Sequence, residues 1–258
     1  MFLHILSFVG ALGIFLYGMK IMSEGLEKTA GDRLRGVLSS MTSNRFAGVA
    51  TGMGVTAVIQ SSSATTVMVV SFVNAGLMTL RQAIGVIMGA NIGTTITAWI
   101  VAFIGFKMDI AALSLPLMAV AAPLLFMGKG KWKNLGECII GFALLFMGLN
   151  LLSEAAEAME IGKHMGDWLT HIDVNAWWAI PLFLFAGMIL TMAMQSSSAS
   201  MAITLMLFDM NIPGFGLTQA AALAMGQNIG TTITALLASF AGNTLAKRAA
   251  LAHTLFNV

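Results

Sequence analysis

Apolar residues run along this chain in long blocks, separated by short polar segments. A bilayer core of about 30 Å needs about 20 apolar residues in a helix. Phe2 to Met22 meets that length and predicts a first span. No charged segment precedes it and no small-residue cleavage site follows, so it does not read as a signal peptide. Residues 24–45 place Lys28, Arg33, Arg35 and Arg45 beside Glu24, Glu27 and Asp32, and read as a loop with a short interfacial helix. Residues 46–77 are apolar, yet too long for one span and too short for two with a turn. Gln60-Ser61-Ser62-Ser63 lies at their middle, which predicts a re-entrant pair of half-helices of about 14 residues each, about 21 Å long. Residues 82–106 predict a span interrupted at Gly89-Ala90-Asn91-Ile92-Gly93-Thr94-Thr95, and 109–128 and 135–152 predict two more. Residues 153–175 form a second polar loop, this one acidic. The run 176–209 again carries Gln195-Ser196-Ser197-Ser198 in its middle, and 217–241 predicts a span broken at Gly226-Gln227-Asn228-Ile229-Gly230-Thr231-Thr232.

The polar segments repeat in the same order. Gln60 to Ala64 matches Gln195 to Ala199, Gly89 to Thr97 matches Gly226 to Thr234, and Gly18 with Ser23-Glu24 matches Gly148 with Ser153-Glu154. The offsets lie between 130 and 137 residues, so residues 1–130 and 131–258 are expected to be two structural repeats. Three crossings plus a re-entrant piece make the first half odd, so the second half enters from the opposite face. That is an inverted-topology repeat, common among secondary transporters. Ala249-Ala250-Leu251 matches Ala111-Ala112-Leu113, so the last span is expected to be cut off about half way, at Val258.

Lys and Arg favour the cytoplasmic side of a membrane. With both Gln-Ser runs re-entrant and the N-terminus outside, eleven of these residues lie inside and only Lys107 and Lys163 outside. If each run crossed once, the division would be nine against four. The first arrangement is preferred, with loop 24–45 cytoplasmic and the acidic loop 153–175 extracytoplasmic. The basic inner loops suit a bacterial plasma membrane.

Composition agrees. Of 258 residues, 58% are hydrophobic and 9% charged, and the mean hydropathy is +0.88. A soluble domain carries about 25% charge. A soluble enzyme, a disordered chain and a nucleic-acid binder are excluded, and a net charge of +2 makes no basic patch. The lone Cys138 allows no disulfide framework, and His4, His164, His171 and His253 have no zinc spacing. The expected class is an all-α integral membrane protein, an inverted-topology repeat with two re-entrant helical hairpins and interrupted transmembrane helices.

Irregular backbone at membrane depth survives only where protein buries it or it lines a cavity. Each Gln-Ser-Ser-Ser run sits just before a new half-helix, whose free N–H groups and positive dipole end point at the tip. Hydroxyls and carboxamides there can bind an oxyanion with their donors and a small hard cation with their oxygens. From Phe46 to Leu80 and from Gln82 to Phe106 there is no ionisable side chain, and from Val174 to Ala246 only Asp209. An anion in so neutral a site must arrive with cations. An intramembrane serine hydrolase is poorly supported, because no Gly-x-Ser-x-Gly is present and no His lies near the Ser runs. For Thr56, Thr65, Thr191 and Ser71 a simple backbone hydrogen bond, or a hydrogen bond gluing helices together, is the expected role.

The paired Gln-Ser-Ser-Ser-Ala and Asn-Ile-Gly-Thr-Thr motifs resemble the type II sodium–phosphate cotransporters and their bacterial relatives, over roughly residues 10–258. The resemblance implies that Gln60, Ser61, Ser62, Ser63, Gln195, Ser196, Ser197 and Ser198 hold phosphate. It implies that Gln60, Gln195, Asn91, Thr94, Thr95, Asn228, Thr231 and Thr232 serve co-transported sodium ions, with no organic cofactor. Many bacterial relatives continue into a cytoplasmic helical domain, which this sequence lacks; a homodimer is left open. The expected function is sodium-coupled phosphate transport by alternating access. Export, carriage of a related oxyanion and phosphate sensing without transport are the alternatives.

Overall fold

A computed structural model describes residues 2–40, 44–105, 110–174 and 176–258. These residues form eleven α-helices and, among the described residues, no strand. In chain order they are α1 (Phe2–Ser40), α2 (Arg45–Ile59), α3 (Ser62–Asn74), α4 (Leu80–Ile100), α5 (Ile110–Met127), α6 (Lys131–Ala158), α7 (Ile161–Thr170), α8 (Ala179–Met194), α9 (Ser197–Asp209), α10 (Leu217–Ser239) and α11 (Thr244–Asn257). A π-helical turn, Val101–Gly105, follows α4. Among the described residues, three stretches are long and apolar enough to cross a membrane: Phe2–Ala30, Leu80–Phe103 and Lys131–Ala158. The expected spans 109–128 and 217–241 are present as α5 and α10 but are not among those three. Gln219, Gln227, Asn228 and several threonines lower the hydropathy of α10. Lys107, expected to face outside, lies outside the described residues.

Both long apolar runs split where expected, α2 from α3 at Gln60-Ser61 and α8 from α9 at Gln195-Ser196. Two other expectations are corrected. Residues 24–40 are not a loop: α1 continues unbroken to Ser40. Its charges sit at helical spacing, with Lys20 and Lys28 3.9 and 3.6 Å from Glu24, and Lys28 reaching Glu137 on α6 at 2.8 Å. Nor do the Asn-Ile-Gly-Thr-Thr segments interrupt their helices, since α4 and α10 run straight through them. The threonine hydroxyls bond back to carbonyls of their own helix, so they are satisfied without breaking it. The acidic segment 153–175 also carries helix, the end of α6 and all of α7.

The chain forms two compact units, each drawn from both halves of the sequence. One holds residues 1–29, 99–184 and 201–223; the other holds 30–98, 185–200 and 224–258.

In the first unit α1 and α6 lie antiparallel with glycines at the contact. A Cβ on Gly18 would strike the backbone of Leu145, and one on Gly148 the backbone of Phe15. Gly25 and Gly141 approach Cys138 and Met22 in the same way. Small residues allow helices to pack closely where apolar burial alone cannot drive association. Leu169 of α7 packs with Phe183, Ile212 and Phe215 in the same unit.

In the second unit α2 and α4 run parallel at equally short range. Gly52 meets Val86, Gly89 meets Val49, and Gly93 lies against the Met53 carbonyl and Thr56. Val55, Ile59, Val69, Val70 and Val73 of the first hairpin bury against Val86 and Ile87 of α4 and Ala246, Ala249 and Ala250 of α11.

Candidate functional site

The two Gln-Ser-Ser-Ser runs and the two Asn-Ile-Gly-Thr-Thr segments fall within the second unit. At the first tip α2 ends on Gln60 in the left-handed conformation, φ 59° and ψ 24°, with its N–H bonded to the Thr56 carbonyl at 2.7 Å. Ser61 is extended and caps α3, its Oγ accepting from the Ala64 N–H at 3.2 Å. The second tip repeats this. Gln195 has φ 51°, its N–H bonds the Thr191 carbonyl at 2.7 Å, and Ser196 Oγ accepts from the Ala199 N–H at 3.3 Å. Thr65 and Ser200 take the next N–H position, at 3.2 and 3.1 Å from the Ser61 and Ser196 carbonyls. A helix leaves its first N–H groups without internal partners. With the third and fourth of these satisfied, the amides of Ser62, Ser63, Ser197 and Ser198 are the donors that each helix presents at its tip. The sequence alternates helix end, cap and helix start within three residues, which is why so short a motif can turn the chain.

The glutamines differ. Gln60 is buried, at 8% exposure. Its Nε2 donates to the Ala57 carbonyl at 2.5 Å, and its Oε1 accepts from the Thr97 hydroxyl at 2.8 Å. Gln195 is exposed. Thr234, which matches Thr97 in the repeat, bonds the Thr231 carbonyl of its own helix at 2.9 Å.

The expected cation ligands on α4 and α10 are also placed. Thr94 and Thr95 donate to the Ala90 and Ile92 carbonyls at 3.1 and 2.7 Å. Thr231 and Thr232 donate to the Gln227 and Ile229 carbonyls, both at 2.8 Å. Each hydroxyl has spent its proton and keeps lone pairs, which is the state a cation ligand needs. Thr95 and Asn228 are exposed, while Thr231 and Thr232 are buried. Asn91 donates to Asn257 Oδ1 at 2.9 Å and accepts at Oδ1 from His253 Nε2 at 3.3 Å. Asn257 Nδ2 in turn donates to the His253 carbonyl at 2.7 Å, an arrangement consistent with the Nε2–H tautomer of His253.

Sequence reasoning missed several neighbours. Thr97 stands in the sequence only as the end of a repeated block, yet it holds Gln60. The Thr56 hydroxyl donates to Thr65 at 3.1 Å and so bridges the two arms of the first hairpin. Gln227 Nε2 donates to the Ser200 carbonyl at 3.0 Å and ties α10 to α9. His253, one of four histidines scattered along the sequence, is fully buried on Asn91. Thr65 and Ser71 bond backbone carbonyls as expected. The Thr191 hydroxyl is buried and has no hydrogen-bond partner among the described residues.

A family model described as Na+/Pi-cotransporter matches residues 14–154 and 157–257. The uncharacterized protein YqeW of Bacillus subtilis is 36% identical over 99% of this chain and 80% of its own length. YjbB of Escherichia coli, named for inorganic phosphate export, is 31% identical over 99% of this chain, which spans 45% of it. Human sodium-dependent phosphate transport protein 2B is 41% identical over 38% of this chain and 15% of its own length. No solved structure matches.

Proposed function

Because the chain belongs to the Na+/Pi-cotransporter family, we propose that it carries inorganic phosphate across a bacterial plasma membrane together with sodium ions. The observation that carries this proposal is the pair of matching Gln-Ser turns inside one compact unit. Each offers backbone amides and serine hydroxyls where an anion can lie, and helices α3, α8, α9 and α10 bring no basic side chain to neutralise it. Phosphate held by Gln60, Ser61, Ser62, Ser63, Gln195, Ser196, Ser197 and Ser198 therefore needs cations beside it. Asn91, Thr94, Thr95, Asn228, Thr231 and Thr232 supply oxygens of the hard type sodium prefers. Coupling follows from electrostatics: anion and cation enter because neither is tolerated alone.

Two packing patterns support an inverted repeat. Gly18 sits on Leu145 while its repeat mate Gly148 sits on Phe15. Gly93 meets Met53 and Thr56, while its mate Gly230 meets Met188 and Thr191. Helices α2, α3, α8 and α9 have 13 to 16 residues, about 20–24 Å, which favours re-entrant hairpins over crossings. We place the N-terminus and segment 153–175 outside, with segment 24–45 in the cytoplasm.

Labelled phosphate flux in vesicles holding the purified protein tests the proposal. Uptake should rise with an inward sodium gradient and vanish when potassium replaces sodium. Binding without flux would leave a sensor. The name of YjbB favours export as a second reading; efflux that ignores the sodium gradient would select it.

A further inference from the structure

Outside the tips, the second unit carries a groove of ≈ 680 Å³ where the N-terminal turns of α2 and α4 lie side by side. Phe46, Val49, Ile84 and Met88 form its apolar wall, and Arg45 and Arg81, both exposed, line it with them. Phe46 is 87% exposed. Neither arginine takes part in an ion pair among the described residues. Their own unit holds one acid, Asp32, whose side chain lies outside the described residues; residues 44–98, 185–200 and 224–258 contain no Asp or Glu. Both helices also begin here, so two positive dipole ends add to two guanidinium groups.

Together the geometry points to a binding site for one anionic glycerophospholipid, its phosphate on Arg45 and Arg81 and one acyl chain along Val49, Ile84 and Met88. Charge complementarity selects the headgroup, since guanidinium forks match phosphate oxygens. The wall selects a lipid over free inorganic phosphate, because four large apolar side chains offer a hydrated ion nothing. Arg45 and Arg81 both fall on the cytoplasmic side of the topology proposed above, where anionic lipids attract basic residues. The site is separate from the transport reading and takes from it only the topology.

The test uses the full chain in nanodiscs of mixed phosphatidylcholine and phosphatidylglycerol, with the lipid retained after detergent extraction read by native mass spectrometry. Phosphatidylglycerol should be retained over phosphatidylcholine by roughly thirty-fold, as two basic residues near a charged surface suggest. Arg45→Gln with Arg81→Gln should erase the preference. Phe46→Ser should lower retention of both lipids while leaving the arginines in place. Lys129→Gln with Lys131→Gln removes the same charge from exposed positions elsewhere and should change nothing. An unchanged preference in the arginine double variant would overturn the site. So would equal loss in the lysine variant, which means bulk attraction, or displacement of the lipid by inorganic phosphate, which means a mobile-anion site.

Discussion

The Thr97 hydroxyl donates a 2.8 Å hydrogen bond to the Gln60 side-chain oxygen. With Nε2 on the Ala57 carbonyl, the carboxamide at the first tip is held at both ends. Thr97→Val keeps the shape and removes the donor. A net hydrogen bond of about 1 kcal/mol converts to roughly five- to ten-fold in a binding constant. The apparent KM for phosphate or sodium should shift by that factor while the protein still inserts. Thr234→Val, whose hydroxyl serves its own helix, should shift neither by more than about two-fold. Equal effects from the two variants would mean that the Thr97 bond does not position the tip.

Gln60 and Gln195 both sit at positive φ, where a side chain costs about 1 kcal/mol relative to glycine. Gln195→Gly should therefore keep thermal stability unchanged or raise it slightly, whereas Gln60→Gly also loses the bonds to Ala57 and Thr97 and should be destabilised. Each should nevertheless abolish sodium-driven phosphate uptake, because the carboxamide is gone. Normal uptake in both variants would reduce the glutamines to turn formers.

Thr56 and Thr191 occupy matching positions, yet only Thr56 has a side-chain partner, the Thr65 hydroxyl at 3.1 Å. Thr56→Val should cost about 1 kcal/mol of stability. Thr191→Val removes a buried hydroxyl that bonds nothing among the described residues, and should be neutral or stabilising. If the Thr191 oxygen serves a sodium ion, the same variant raises the sodium concentration for half-maximal uptake several-fold. Thermal scans and sodium titrations on the two valine variants separate these effects.

At the α1–α6 seam, Gly18→Val and Gly141→Val place a side chain into facing backbone. Overpacking of this kind costs about 1–3 kcal/mol. Gly10 and Gly13 on the same helix as Gly18 have open space where a Cβ would stand, with nothing within 4 Å. Their valine variants should stay within about 0.5 kcal/mol of the parent. Unfolding in increasing denaturing detergent orders the four; equal stability across them would dissolve the seam.

The two helix breaks could be read from sequence because their cause is local. A glutamine ends one helix and a serine caps the next, all within adjacent residues. The Asn-Ile-Gly-Thr-Thr segments misled for the opposite reason. Glycine and β-branched threonine look like helix breakers in isolation. In the fold, Thr94 and Thr231 bond back along their helices, and Gly93 lets α4 approach Met53 and Thr56. No local pattern reveals that partner. The charges after Met22 looked like loop because ionised groups usually mark a membrane edge, yet Lys28 finds Glu137 at a separation of 109 residues. The burial of His253 against Asn91, 162 residues away, lies equally beyond any motif.

The crossing of Phe15 with Gly148 and of Gly18 with Leu145 reads the same from either helix of the pair. A peptide carrying only the earlier half would already own both faces of that contact. The α1–α6 contact is in this sense self-complementary, whereas the unequal settings of Gln60 and Gln195 mark a place where the two halves differ.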